Sequence, residues 1–288
     1  MNNSDLVSEG EFNFSAADFR TIAQILLSET GISLGENKVN LVYSRLAKRL
    51  RALGLKTFRE YCDLIQSPSG ETERGEMIAA LTTNVTRFFR EQHHFDHLKS
   101  EILPPLVAFA KKGGRVRIWS AACSSGQEPY SIAMTILGVM PDAGRYDIKV
   151  LATDIDPNMI AFGQEAIYSD SAAESIPTAL RSRWFLSNGS GAFKAGDELR
   201  GLVSFRRLNL IGSWPMSGRF QAIFCRNVVI YFDHDTQAKI WERMAPLLEP
   251  GGALYIGHSE RVTGSAERLL KSEGITTYRF SPKQASKS

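Results

Sequence analysis

Between Ser120 and Pro129 the chain reads Ser-Ala-Ala-Cys-Ser-Ser-Gly-Gln-Glu-Pro, a run of small residues with one glycine, followed by an acid. It links a strand-like run to a helical one. At such a turn an α/β sheet usually cradles a phosphate, using several glycines and the positive end of the following helix. Here Glu128 stands at that helix N-terminus, where it would repel a pyrophosphate and welcome an ammonium or sulfonium centre. Pro129 fits the first helical position, where its missing N–H costs nothing. Asp154 closes the next apolar run, Ile148 to Thr153, and is placed to accept hydrogen bonds from two ribose hydroxyls. Asp156-Pro157 reads instead as an N-cap followed by proline at the first helical position. Taken singly, Glu128 also reads as a helix cap and Asp154 as a strand end. Taken together they lead to a nucleoside-binding α/β domain, with S-adenosylmethionine as a ligand of the right charge.

The elements that must hold these residues follow from periodicity. The first 90 or so residues read as helices only. Ser15 with Asp18 and Thr57 with Glu60 form capping boxes, and Phe19, Ile22 and Leu26 recur at helical spacing. Val39, Val42, Leu46, Leu50 and Leu53 make one face of a helix ending near Gly54. From Lys111 the pattern changes. Apolar runs at Val116 to Ser120, Ile148 to Thr153, Ala222 to Phe224 and Ala253 to Gly257 alternate with helical stretches, one of them around Thr236 to Leu248. That alternation predicts an α/β fold with a parallel sheet covered on both faces. Ligands of such sheets lie beyond the carboxyl ends of the strands, which singles out residues 120–128, 154 and 225–227. Residues 168–206 break the rhythm with glycine-rich stretches and read as an insertion containing a small antiparallel hairpin.

With 288 residues, 43% hydrophobic and 10% aromatic, the chain is long enough for two modest domains. Three cysteines, Cys62, Cys123 and Cys225, lack metal or redox spacing and suit a reducing compartment. The polar, acidic start is unlike a signal peptide and no membrane span is evident, so a cytoplasmic protein is expected. The tail, residues 283–288, reads as disordered. A net charge of +3 does not by itself imply nucleic acid.

Five motifs in order, TTNVTRFFRE (82–91), WSAACSSGQEPYSIA (119–133), ATDIDPNMI (152–160), FCRNVVIYF (224–232) and LEPGGALYIGHSE (248–260), carry a resemblance over nearly the whole chain. The sequence resembles the chemotaxis receptor methyltransferases, the CheR family, which use S-adenosylmethionine to methylate glutamate side chains of bacterial chemoreceptors. The resemblance implies a helical N-terminal domain (1–81), a linker with a connecting helix (82–110), and a Rossmann-like class I methyltransferase domain (111–282) with an inserted β-subdomain at about 168–206. It assigns cofactor contacts to Asn84, Thr86, Arg90, Glu128, Asp154, Asn209, Leu210, Cys225 and Arg226, and puts Tyr231 near the transferred methyl group. Arg90 and Tyr231 are the expected catalytic pair, with S-adenosylhomocysteine as product. Members commonly have two acids before Pro-Tyr-Ser; here the first is Gln127.

Residues 37–59 contain Lys38, Arg45, Lys48, Arg49, Arg51, Lys56 and Arg59 and no acid. Such a segment reads as a solvated helix face or as a docking site for an acidic helical surface. The resemblance favours the second, with Lys38, Arg45, Lys48, Arg49 and Arg51 facing the cytoplasmic helices of chemoreceptors. A nucleic-acid methyltransferase is the rival enzyme, but only Tyr43 and Phe58 interleave the basic residues, so stacking on single strands is not expected. A cofactor-binding adaptor without turnover is the rival of another class. His93 and His97 lie four apart without a usual third ligand, so no metal is expected, and with His94 they read as solvent-facing. A monomer that inserts into no membrane is expected.

Overall fold

The computed structural model describes residues 5–7, 10–189 and 191–282. The expected disordered tail and most of the polar start lie outside the described residues. The chain forms two compact units, Met1–Thr83 with Tyr231–Asp233, and Asn84–Ile230 with His234–Ser288.

In the first unit, β1 (Asp5–Val7) pairs antiparallel with β2 (Phe14–Ser15), which corrects the helices-only reading. Strand β2 runs directly into α1 (Ala16–Thr30), so Ser15 ends a strand and caps a helix at once. Its Oγ accepts from the Asp18 N–H at 3.2 Å, while Asp18 accepts from the Ser15 N–H at 3.1 Å. Helix α2 (Val39–Leu53) stops at Gly54, whose φ of 69° a side chain would disfavour. Helix α3 (Phe58–Gln66) starts on the reciprocal Thr57–Glu60 box, and α4 (Glu71–Leu81) follows. Phe19, Ile22, Leu26, Val42, Leu46, Leu50, Tyr61 and Ile65 fill the core, and Phe14 lies 4.3 Å from Phe58, ring centre to ring centre. Leu53 sits off that face, 41% exposed.

The second unit opens with α5 (His93–His97), a π-helical turn Leu98–Ile102 and α6 (Leu103–Lys111). Its strands are β3 (Val116–Ala121), β4 (Ile148–Asp154), three short ones β5 (Ile167–Ser169), β6 (Phe185–Ser187) and β7 (Ala192–Ala195), then β8 (Val203–Arg207), β9 (Phe220–Cys225), β10 (Leu248–Ile256), β11 (Leu270–Gly274) and β12 (Thr277–Phe280). The main sheet has the order β11-β12-β10-β9-β3-β4-β8. All pairs from β10 to β8 are parallel, and β12 is antiparallel to both neighbours. Helices α7 (Gln127–Val139), α8 (Pro157–Glu165) and α9 (His234–Met244) lie among the connections. Ala121 sits level with Thr153 on one side and Cys225 on the other, so the carboxyl ends of the three central strands are aligned. The chain leaves β3 toward β4 and β8, then returns to β9 and β10 on the far side, so the order reverses at β3.

The insertion is a three-stranded antiparallel sheet, β5-β7-β6, rather than a hairpin. It ends earlier than read from sequence, because Val203–Arg207 pairs with Val150–Asp154 as the edge of the main sheet. At its neck the Ala195 N–H donates to the Ala166 carbonyl at 2.9 Å. Among the described residues no helix is long and apolar enough to cross a membrane, and the three cysteines are free and buried.

Candidate active site at the carboxyl ends of the strands

Gly126 has a φ of 94°, and a Cβ there would lie 2.8 Å from the Tyr168 hydroxyl and 3.1 Å from Gly163 Cα. Only glycine fits. Ala122 and Ser124 also take left-handed φ values of 57° and 50°, and the Cys123 N–H donates to the Thr153 carbonyl at 2.9 Å, fixing the turn against the end of β4. Helix α7 begins at Gln127, so Pro129 is third rather than first in the helix, still among the N–H positions that have no helical acceptor. Glu128 is not the bare carboxylate its position suggested. Ser120 Oγ donates to its Oε1 at 2.7 Å and Arg226 Nη1 to its Oε2 at 3.0 Å. Burial pushes its carboxyl upward, and Arg226 opposes that shift.

Asp154 accepts one backbone N–H on each oxygen, from Ser124 at 2.8 Å and from Asp156 at 3.0 Å. Burial raises its pKa against the pull of those bonds. Asp156 caps α8 as expected, accepting from the Asn158 N–H at 2.9 Å, and its other oxygen accepts from Asn84 Nδ2 at 3.0 Å. Ser124 Oγ donates to the Asn84 carbonyl at 2.9 Å, tying residue 84 to the turn. The Leu208 N–H donates to the Asp154 carbonyl at 2.9 Å, which brings Asn209 and Leu210 beside the strand end. Asn209 Oδ1 accepts from the Ile211 N–H at 3.1 Å. The Leu210 carbonyl accepts from Arg243 Nη1 at 3.0 Å. Thr86 lines a cavity of about 530 Å³ with Arg87, Gln127, Ser171 and Ser175.

Cys225, the last residue of β9, is fully buried. Arg226, the next residue, joins Glu128 to the segment that ends at Glu91. Its Nη2 donates to the Arg90 carbonyl and lies 3.3 Å from Glu91 Oε2. Arg90 turns its own guanidinium to the Val85 carbonyl, 3.0 Å away. Short contacts thus form two sets, one of Asn84, Ser124, Asp154 and Asp156 and one of Glu128, Arg226 and the Arg90 carbonyl, on neighbouring strand ends, while Tyr231 is grouped with the first unit, its carbonyl accepting from the Ser33 N–H at 3.0 Å.

Two acids, the buried Asp154 at a strand end held by backbone N–H groups and the largely covered Glu128 in the first turn of α7 held by a guanidinium, suit a nucleoside with a cationic amino-acid end. Residues 84–279 match the family model described as the CheR methyltransferase SAM binding domain, and residues 17–82 match that of the CheR all-alpha domain. The chain belongs to the CheR methyltransferase family. It is 54% identical to a probable chemotaxis protein methyltransferase of Rhizobium etli, over 90% of this chain and 98% of that one. It is 42% identical to chemotaxis protein methyltransferase 2 of Pseudomonas aeruginosa, over 96% and 97% of the two chains. Against the chemotaxis protein methyltransferase of Escherichia coli the identity is 41%, over 93% and 92%.

Two acids of this CheR chain escaped the sequence reading. Glu260 is 2% exposed and accepts four backbone N–H groups, from Asn227, Val228, Val229 and Gly257, at 3.0, 2.9, 3.0 and 2.5 Å. It ties the turn after β9 to the turn after β10, and a Cβ on Gly257 would meet the Asn227 N at 2.8 Å. Its signal was an acid four residues beyond a buried strand, inside a motif already singled out. Glu91, the other, has a φ of 58° and ends the motif that begins at Thr82.

The histidines are not uniformly solvent-facing. His94 is fully buried, bonds Thr276 Oγ1 at 2.9 Å through Nε2, and has its pKa pushed down to about 2, chiefly by burial and then by Arg226. His97 Nδ1 pairs with the Tyr255 hydroxyl at 2.9 Å. Glu91, His93 and His94 place one ligating atom each within 4.8 Å of one another, a cluster that the spacing of His93 and His97 did not reveal. The Arg226 guanidinium beside Glu91 opposes a cation there.

The basic segment is less available than its composition implied. Arg45 Nη1 donates to the carbonyls of Ala80, Leu81 and Thr82 at 3.2, 3.0 and 2.7 Å, closing the C-terminus of α4. Arg49 forks onto Glu73 at 3.0 and 2.6 Å, and Tyr61 donates to the same carboxylate at 2.9 Å. Arg51 pairs with Glu11 at 2.6 Å. Lys38 and Lys48 are exposed.

Proposed function

We propose that this chain transfers the methyl group of S-adenosylmethionine to glutamate side chains in the cytoplasmic helical region of chemoreceptors, leaving glutamate methyl esters. The observation that carries the reading is the Asp154 and Glu128–Arg226 constellation, set at aligned strand ends in a chain matching both CheR domains. The chemotaxis protein methyltransferases it resembles support methyl transfer in chemotaxis.

When bound, S-adenosylmethionine supplies an electrophilic methyl group on a sulfonium. Asp154 receives the ribose hydroxyls, and Glu128 the ammonium of the methionine end. The Ser120 to Gly126 backbone approaches closely because its side chains are small. Asn84, Thr86, Asn209, Leu210 and the Cys225 backbone complete the set. An acceptor glutamate is already ionised near neutral pH, since its ordinary pKa is about 4.3, so no general base is needed. The protein's part is orientation and removal of water from the carboxylate, in line with the methyl group. Arg90 steers the acceptor or holds the cofactor carboxylate, and Tyr231 orients the acceptor through its hydroxyl. If Arg90→Ala and Tyr231→Phe both keep full turnover at saturating cofactor, those two roles fall.

The decisive experiment incubates the protein with radiolabelled S-adenosylmethionine and membranes carrying its organism's chemoreceptors, followed by mild alkali. Label released as methanol from receptor bands is the expected result. Label that resists alkali, or enters RNA or DNA, overturns the reading; cofactor binding with no transfer favours an adaptor.

In this reading Lys38 and Lys48 contact the receptor, with Arg51 on the rim, whereas Arg45 and Arg49 chiefly hold the helices together. Lys48→Glu is expected to raise the receptor KM several-fold, steeply with falling salt, while leaving the melting temperature unchanged. Arg49→Glu sets a third carboxylate against Glu73 and Glu76 and is expected to remove about 3 kcal/mol of stability, read by urea unfolding. Equal KM and stability effects for both variants would contradict this division. The protein works in the cytoplasm as a monomer beside chemoreceptor arrays.

A further inference from the structure

Arg226 is shared between two carboxylates. Its side chain is 1% exposed, with Nη1 3.0 Å from Glu128 Oε2 and Nη2 3.3 Å from Glu91 Oε2, and each acid is 13% exposed. A lone Glu128–Arg226 pair would be neutral. With Glu91 the group carries one net negative charge, in surroundings that screen it poorly. The other neighbours of Glu91 do not cancel that charge. His94 Nδ1, 3.6 Å from Oε2, belongs to a ring held neutral by burial. Asn227 Nδ2 donates to Oε1 at 3.4 Å. His258 Nδ1 lies 3.7 Å from Oε1 on a side chain 71% exposed, where solvent screens its interaction with the buried group. Glu91 also keeps a left-handed backbone that disfavours any side chain, with φ at 58°.

We infer that Glu91 is a specificity-determining residue: by sharing Arg226 it leaves Glu128 a net anionic site, which favours the cationic cofactor over its uncharged-sulfur product. The inference rests on the proposed cofactor placement at Glu128. S-adenosylmethionine bears one more positive charge than S-adenosylhomocysteine, and the two are otherwise nearly alike. Removing a unit charge about 10 Å away, at an effective dielectric near 20, changes the binding of a cation by roughly fifteen-fold before screening by solvent, and leaves a zwitterion less affected. Glu91 thereby acts against product retention without touching the reacting atoms.

The test is calorimetric titration of the full chain with S-adenosylmethionine and with S-adenosylhomocysteine, receptor absent. In Glu91→Gln the ratio of the two dissociation constants is expected to shift at least three-fold toward the product, whereas Glu91→Asp keeps the wild-type ratio. His258→Lys, on an exposed side chain, sets a permanent cation beside Glu91 and shifts the ratio the same way; it decides the matter if Glu91→Gln does not fold. Equal changes in both constants, the mark of a merely structural role, overturn the inference, as does an unmoved ratio. If the wild-type chain binds neither ligand, the cofactor reading itself fails and this inference with it.

Discussion

Glu260→Ala is expected to lower the stability of the chain by at least about 4 kcal/mol, a large part of the roughly 5–15 kcal/mol that a folded protein commands. The carboxylate is 2% exposed and accepts four backbone N–H groups. Each buried donor left without an acceptor costs roughly 1–3 kcal/mol. Asn227 carries a φ of 58°, a conformation that the bonded turn sustains and a freed turn would abandon. Glu260→Gln keeps one oxygen but points an amide N–H at two of the donors, so an intermediate loss is expected. Guanidinium unfolding followed by tryptophan fluorescence reads both variants. An unchanged midpoint for the alanine variant would show that the two turns stand without the carboxylate.

Asp154→Ala is expected to weaken S-adenosylhomocysteine binding by about 100-fold, or about 2.7 kcal/mol. In its proposed role the carboxylate accepts from two ribose hydroxyls, and hydrogen bonds to a charged group contribute roughly 1.5–3 kcal/mol each. The same side chain accepts from the Ser124 and Asp156 N–H groups, so the alanine variant also loosens the turn after β3. Asp154→Asn preserves size and one oxygen but turns an amide N–H toward one of the two backbone donors. It is expected to cost roughly ten-fold in affinity, with a smaller loss of melting temperature than the alanine variant. Titration calorimetry on both variants checks this; wild-type affinity in Asp154→Asn would remove Asp154 from the ribose site.

What could be read from the sequence was local or periodic. The Ser15–Asp18 and Thr57–Glu60 boxes lie within one helical turn, and the central strands are mostly apolar, with Arg117 and Lys149 near their starts. Strand β8 escaped because it is an edge: Phe205 alone is buried, Val203 and Ser204 are half-buried, Arg206 and Arg207 are exposed, and no uninterrupted apolar run marks it. The basic segment misled for a different reason. Glu73 lies 24 residues from Arg49 and Glu11 lies 40 from Arg51, so the charges that offset them are neighbours only in the fold. Glu128 was legible by type and position, but its sharing of Arg226 needed a contact across 98 residues. Glu260 stood inside a motif already singled out, but nothing in the order Gly-His-Ser-Glu announces that four N–H groups converge on it.

The neck of the inserted sheet has a consequence for how such chains diversify. Because the Ala195 N–H meets the Ala166 carbonyl at 2.9 Å, the excursion leaves and rejoins the main chain at nearly one point. Such a loop is a detachable cassette: its far end can be lengthened, replaced or given a new binding edge, and each doubling of its length adds only about 0.6 kcal/mol of closure entropy. The sheet that carries Asp154 would keep its register throughout, so partner choice can drift while the chemistry stays where it is.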